Sequence, residues 1–125
     1  IGIGSPVSAS LKRVYGYEYN GVDTLEGLTV VASLICPALT GDSVVIDNSN
    51  GVQYSADMQI EDKTDTGGRF ILDLPLNSNI KPAGSRWKIT AYDFDGSTRW
   101  SVTVNLTTTA ADCIGHITGQ VTSCP

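Results

Sequence analysis

From Arg86 to Asn105 the side chains alternate in kind, and this alternation constrains the fold more than any other feature of the chain. With Asp95-Gly96 as a two-residue turn, Trp87 faces Val104, Ile89 faces Val102 and Ala91 faces Trp100. The opposite face pairs Arg86 with Asn105, Lys88 with Thr103, Thr90 with Ser101 and Tyr92 with Arg99. Apolar residues collect on one side and charges on the other, and a slip of one residue would destroy the sorting. The pattern predicts a β-hairpin with both tryptophans on its buried face.

Period-2 segments recur elsewhere, whereas helical periodicity does not. Leu28 to Ile35 is nearly continuous in apolar and β-branched residues, as expected of a central strand buried on both faces. Ser43–Asp47 and Gln53–Ile60 flank Asn50-Gly51, a second hairpin signal. Arg69–Leu74 reads as a short strand after Gly67-Gly68, ended by Pro75, and Leu11–Tyr19 as an aromatic strand interrupted by Gly16. About seven strands with turn signals every ~8–12 residues predict an all-β chain. The expected form is a single antiparallel β-sandwich of immunoglobulin-like or transthyretin-like type. Residues 1–10 read as an extended arm, 11–108 as the sandwich and 109–125 as a tail.

A chain of 125 residues can bury a core of its own as one domain. Charged residues make up only 17%, with Ser, Thr, Asn and Gly in their place, a mix suited to exposed sheet faces and turns. The net charge of −5 argues against nucleic acid or an anionic membrane as partner. No apolar run approaches the ~20 residues of a spanning helix. The first residue, Ile1, with no signal-like segment after it, predicts a product whose leader was removed or a piece of a longer one.

Three cysteines cannot all pair within one chain. Cys113 and Cys124 lie in a tail rich in Thr, Gly and Ser, where a bridge would contribute roughly 3 kcal/mol by closing a short loop. The expectation is a Cys113–Cys124 disulfide, with two free thiols or a pair across subunits as the alternatives. Cys36, at the end of the most apolar strand, is expected as a buried thiol. No cysteine or histidine stands at metal-ligand spacing, so no metal and no cofactor are expected.

Few residues suggest chemistry. His116, the single histidine, has no acid or nucleophile at motif spacing, and no hydrolase, zinc-protease or phosphate-loop pattern is present. Asp93-Phe94-Asp95-Gly96 and Glu61-Asp62-Lys63-Thr64-Asp65 have oxygens for Ca²⁺, but turn chemistry already accounts for Asp before Gly. No catalytic residue is assigned. Tyr15, Tyr17 and Tyr19 alternate on one face of the first strand, either as a platform for a surface glycan or as packing at an edge or subunit contact. Ile1 and Ile3, alternating with glycine, suit an arm that adds a strand to a neighbour's open sheet edge, the alternative being a frayed end. Asn105-Leu106-Thr107 fits a glycosylation sequon with Asn105 pointing outward.

The run Asp65-Thr66-Gly67-Gly68-Arg69-Phe70-Ile71-Leu72-Asp73-Leu74-Pro75 is followed by Ile80-Lys81-Pro82-Ala83-Gly84-Ser85-Arg86-Trp87. It resembles a domain recurrent in tailed-phage virion proteins, a carboxypeptidase-regulatory or transthyretin-like β-sandwich of tail fibres and decoration modules. The shared pattern is a D-x-x-G-x-F strand, a Leu-Pro corner and I-x-P-A-G-x-x-W leading into the next strand, and it covers about Leu28 to Leu106. The resemblance implies a non-enzymatic structural or adhesion component of an extracellular particle. Its partners would be copies of itself and a larger capsid, tail or filament protein. The alternatives are a subunit of a secreted bacterial or archaeal filament or surface layer, assembled by strand addition, and a carbohydrate-binding module.

Overall fold

Apolar alternation at period 2 turns every second side chain toward the same side of a strand, and the chain uses this to build sheets. The computed structural model describes residues 11–20, 23–36, 44–49, 51–107 and 112–113. The strands are β1 (Leu11–Tyr17), β2 (Tyr19–Asn20), β3 (Asp23–Thr24), β4 (Thr29–Ile35), β5 (Val44–Asp47) and β6 (Val52–Ser55). They continue with β7 (Gln59–Lys63), β8 (Arg69–Pro75), β9 (Ile80–Lys81), β10 (Arg86–Tyr92), β11 (Thr98–Val104) and β12 (Asp112–Cys113). A single 3-10 turn, Asn77–Asn79, interrupts them, and no α-helix occurs among the described residues. The chain is all-β.

Among the described residues four sheets form: β12-β1-β8, β11-β10-β4-β7, the small pair β2-β3, and β6-β5-β9. Every pairing among the described residues is antiparallel except that of β12 with β1, where Val14 stands opposite Asp112 and Tyr15 opposite Cys113. The expectation of purely antiparallel sheets is corrected there. The twelve strands among the described residues exceed the expected seven, because Leu11–Tyr19 and Gln53–Ile60 each divide and β3, β9 and β12 form outside the expected segments.

One apolar cluster draws on three of the sheets, with Val45 of β5 and Ile80 of β9 among its members. Val14, Phe70, Leu72 and Leu74 of β1 and β8 share it with Val30, Ala32, Leu34, Trp87, Ile89, Ala91 and Trp100 of β4, β10 and β11. Trp87 is fully enclosed, and its indole N–H donates to the Pro75 carbonyl at 2.9 Å. Outside the cluster's own packing, Asp62 of β7 crosses to the neighbouring strand, accepting the Ile71 N–H of β8 at 2.8 Å. Asn77 is buried and clamps three segments: its amide donates to Ser85 Oγ at 3.0 Å and its carbonyl oxygen accepts the Leu106 N–H at 2.8 Å. A buried polar side chain is tolerable only with such partners.

The β10–β11 hairpin keeps the expected register from Trp87–Val104 through Ala91–Trp100, but its turn differs. Asp93 and Ser97 close a three-residue loop, with the Asp93 N–H donating to the Ser97 carbonyl at 2.7 Å and the Gly96 N–H to the Asp93 carbonyl at 2.9 Å. Gly96 takes φ +89°, the left-handed residue this loop requires. The extra loop residue moves the register by one, so that Tyr92 faces Thr98 rather than Arg99. A β-bulge at Arg99 restores it, and bulges re-aim the side chain they carry.

Other expectations shift in similar ways. β4 is a central strand but alternates: Val30, Ala32 and Leu34 are buried, and the other face is half-buried. β5 and β6 pair as a hairpin, Val44 with Ser55 and Asp47 with Val52, with Gly51 at φ +75° before β6. Gln53–Ile60, however, divides at Ala56–Met58 into strands of two different sheets. Gly16 does not interrupt β1. Cys36 lies just past β4 as a free, half-buried thiol packed against the core, not a fully buried one; its desolvation pushes the thiol pKa up.

Candidate functional site

β1 and β8 pair along their whole length, and their outward residues form a continuous strip. Leu11 stands opposite Pro75, Arg13 opposite Asp73, Tyr15 opposite Ile71 and Tyr17 opposite Arg69. Tyr15 and Tyr17 are two apart, so the pleat puts both on this face, where the rings meet edge to face with centroids 6.3 Å apart. The Arg69 guanidinium lies 5.4 Å over the Tyr15 ring, a cation–π contact. Arg13 holds Asp73 through two hydrogen bonds, Nε to Oδ1 at 2.9 Å and Nη2 to Oδ2 at 3.1 Å. Leu11, Tyr15, Tyr17 and Ile71 are only half-buried. The strip is therefore an amphipathic face, with aliphatic and aromatic residues around the Arg13–Asp73 ion pair and the Arg69 guanidinium.

The third tyrosine is not part of it. β1 ends at Tyr17, Glu18 turns inward, and Tyr19 belongs to the separate pair β2–β3. The expectation of three tyrosines on one strand face is corrected to two on β1, because β1 ends at Tyr17 and Tyr19 pairs with Thr24 in β2–β3.

That capture is the main electrostatic feature of the protein. Glu18 is 0% exposed, and its Oε1 accepts both Arg99 Nε at 3.0 Å and the Trp100 indole N–H at 3.0 Å. Arg99 also donates from Nη1 to Asp93 at 3.1 Å and from Nη2 to the Tyr19 carbonyl at 3.2 Å. The bulge described above is what directs Arg99 here. Burial pushes the Glu18 carboxyl above its usual range, against the hydrogen bonds from Trp100 and Arg99 that favour the ionised form. This cluster ties the end of β1 to β11 and serves the fold.

The remaining carboxylates have local structural duties. The Asp65 side chain accepts the N–H groups of Gly67 at 2.9 Å and Arg69 at 3.0 Å, shaping the loop that leads into β8. Asp95 accepts the Ser97 N–H at 2.9 Å and the Ser97 hydroxyl at 2.6 Å; these bonds hold its carboxyl below the usual value. At the β5–β6 turn the Asp47 side chain accepts the Ser49 N–H and the Ser49 hydroxyl. Among the described residues no group of three or more Asp, Glu, His or Cys could hold a metal ion. No described helix is long and apolar enough to cross a membrane.

Of the remaining sequence candidates, Ile1, Ile3, His116 and Cys124 lie outside the described residues, and Cys113 is described only as backbone in β12. Asn105 is exposed just past β11, as expected. Sequence reasoning missed the Glu18–Arg99–Trp100 cluster. Its only trace was an acid between two tyrosines, and nothing in the pattern linked it to a residue 81 positions away. In the comparisons with known proteins, no family model and no curated protein matches the chain.

Proposed function

We propose that this chain is a non-enzymatic building block of an extracellular particle, of the β-sandwich kind found in tailed-phage tail fibres and decoration modules. In this reading the sheets β12-β1-β8 and β11-β10-β4-β7 are the two layers of the sandwich, and a Cys113–Cys124 bridge staples the tail. The observation that carries it is the outward strip of β1 and β8, where Leu11, Tyr15, Tyr17 and Ile71 stay half-exposed around a single ion pair. Continuous apolar strips on sheet faces mark contact surfaces. Partners are copies of the chain and a larger scaffold protein. The ionisable clusters support the same reading, since Glu18, Asp65 and Asp95 are occupied in holding loops and strands.

A filament or surface layer assembled by strand addition is the second reading, favoured by the uncharged outer edge of β11. A glycan platform is less well supported: the Arg69 guanidinium lies over Tyr15, on a ring face that a sugar would use for stacking. Electron microscopy and mass spectrometry of particles from the native source test the proposal, with recovery of the chain in capsids or tails expected. Its absence from every particle, or specific binding on a glycan array lost in Tyr15→Ala, would overturn it.

A further inference from the structure

β11 is the outer strand of its sheet. Its inner side pairs with β10, and no strand pairs with its other side among the described residues. A strand in that position offers a row of backbone N–H and C=O groups, and the partner that satisfies such a row is another extended strand. Natural edges are guarded by charge, proline or a bulge. β11 has a bulge only at its start, at Arg99, and the charge of that residue is turned inward to Glu18 and Asp93. From Trp100 to Val104 the edge reads Trp-Ser-Val-Thr-Val, five residues without charge or proline and rich in strand-forming types.

The geometry points to a second copy of this chain as the occupant, joined antiparallel to β11 about a two-fold axis at Val102. Directly opposed residues in an antiparallel pair share a face, so self-pairing is allowed only where a residue meets one of its own parity. Centring on Val102 puts Val102 against its own copy, Ser101 against Thr103, and Trp100 against Val104. Val102 and Val104 are half-buried at the rim of the core and already pack against it. In this register both gain apolar neighbours from the other copy. Ser101 and Thr103, exposed on the opposite face, place hydroxyls side by side across the axis. A closed two-fold contact of this kind is self-complementary.

Charge supports the second copy. The chain carries −5 overall, yet none of its thirteen acidic residues lies on β11. Lys88, exposed, stands one strand inward opposite Thr103. Across the axis the two Lys88 residues are three strand spacings apart, about 14 Å, beyond the screening length of ~8 Å at physiological salt. The described residues of this edge therefore bring no like charges within a screening length of each other. This inference deepens the building-block reading by naming one of its contacts, and recovery of the chain in particles tests that reading separately.

The test is sedimentation of the full chain over a range of concentrations, with Thr103→Lys and Thr103→Glu variants checked by circular dichroism. The wild type should dimerise, and each variant alone should dissociate at least ~10-fold more readily, because like charges then sit diagonally across the axis. An equimolar mixture of the two variants should recover association, which a folding defect could not do. Wild-type protein that is monomeric at every concentration overturns the inference. So do dimers unaffected by either charge, or protection from hydrogen exchange, in dilute monomer, of those Trp100–Val104 amides that point away from β10, which would mean that the chain covers its own edge.

Discussion

Replacing Gly68 by alanine separates backbone strain from steric conflict, because the protein contains its own control. Gly68 and Gly51 have nearly the same left-handed backbone, φ +77° and +75°. A Cβ at Gly51 meets nothing within 4 Å, whereas one at Gly68 would lie 2.5 Å from the Glu18 carbonyl oxygen. Thr24 Cβ at 3.3 Å and the Leu25 nitrogen at 3.4 Å close off retreat on the other side. Gly51→Ala should therefore cost only the left-handed penalty, about 1–2 kcal/mol. Gly68→Ala incurs the same penalty and must also displace backbone. The Glu18 N–H bond to the Gly68 carbonyl, 2.8 Å long, is strained or lost, adding about 1 kcal/mol. Glu18 would move with it, loosening its bonds to Arg99 and Trp100, each charge-assisted bond contributing about 1.5–3 kcal/mol when intact. A total near 4 kcal/mol follows if about half of one such bond is lost. Urea unfolding followed by circular dichroism measures both variants. Equal losses for Gly51→Ala and Gly68→Ala would refute the steric argument and the close approach of the Asp65–Arg69 loop to Glu18.

Trp87→Ala should cost about 3–5 kcal/mol, and a loss below ~1 kcal/mol in chemical denaturation would place the indole outside the core. Glu18 has a raised carboxyl pKa in the folded state, so the folded protein holds this proton more tightly than the unfolded chain. Its contribution to stability is present in full below about pH 4.3 and is lost as pH rises through the folded value. Glu18→Gln should remove that part of the pH dependence, and a stability profile identical to wild type would reject the assignment. Non-reducing peptide mapping should recover Cys113 linked to Cys124; a Cys36 peptide joined to either would overturn that pairing.

Strand identity and facing were legible wherever a segment satisfied one local rule along its length. The alternation from Arg86 to Asn105 was enough to place Trp87, Ile89, Ala91 and Trp100 on the core side, because a slipped register would bury Lys88 and expose both tryptophans. Gly67-Gly68 likewise marked the turn before β8, where Gly68 takes the left-handed backbone. What depended on distant partners was not legible. Asp95-Gly96 suits a two-residue turn, yet the loop takes three residues and Arg99 bulges, an arrangement that lets its guanidinium reach Glu18. Likewise β1 ends at Tyr17, and Tyr19 pairs instead with Thr24 in β2–β3. The parallel pairing of β12 with β1 also joins segments about a hundred residues apart in sequence. Periodicity reports which way a side chain points from its own strand, because the pleat repeats every two residues. Which charge it will meet, and how far the backbone yields to make that meeting, depends on how the sheets pack and is decided only in the tertiary structure.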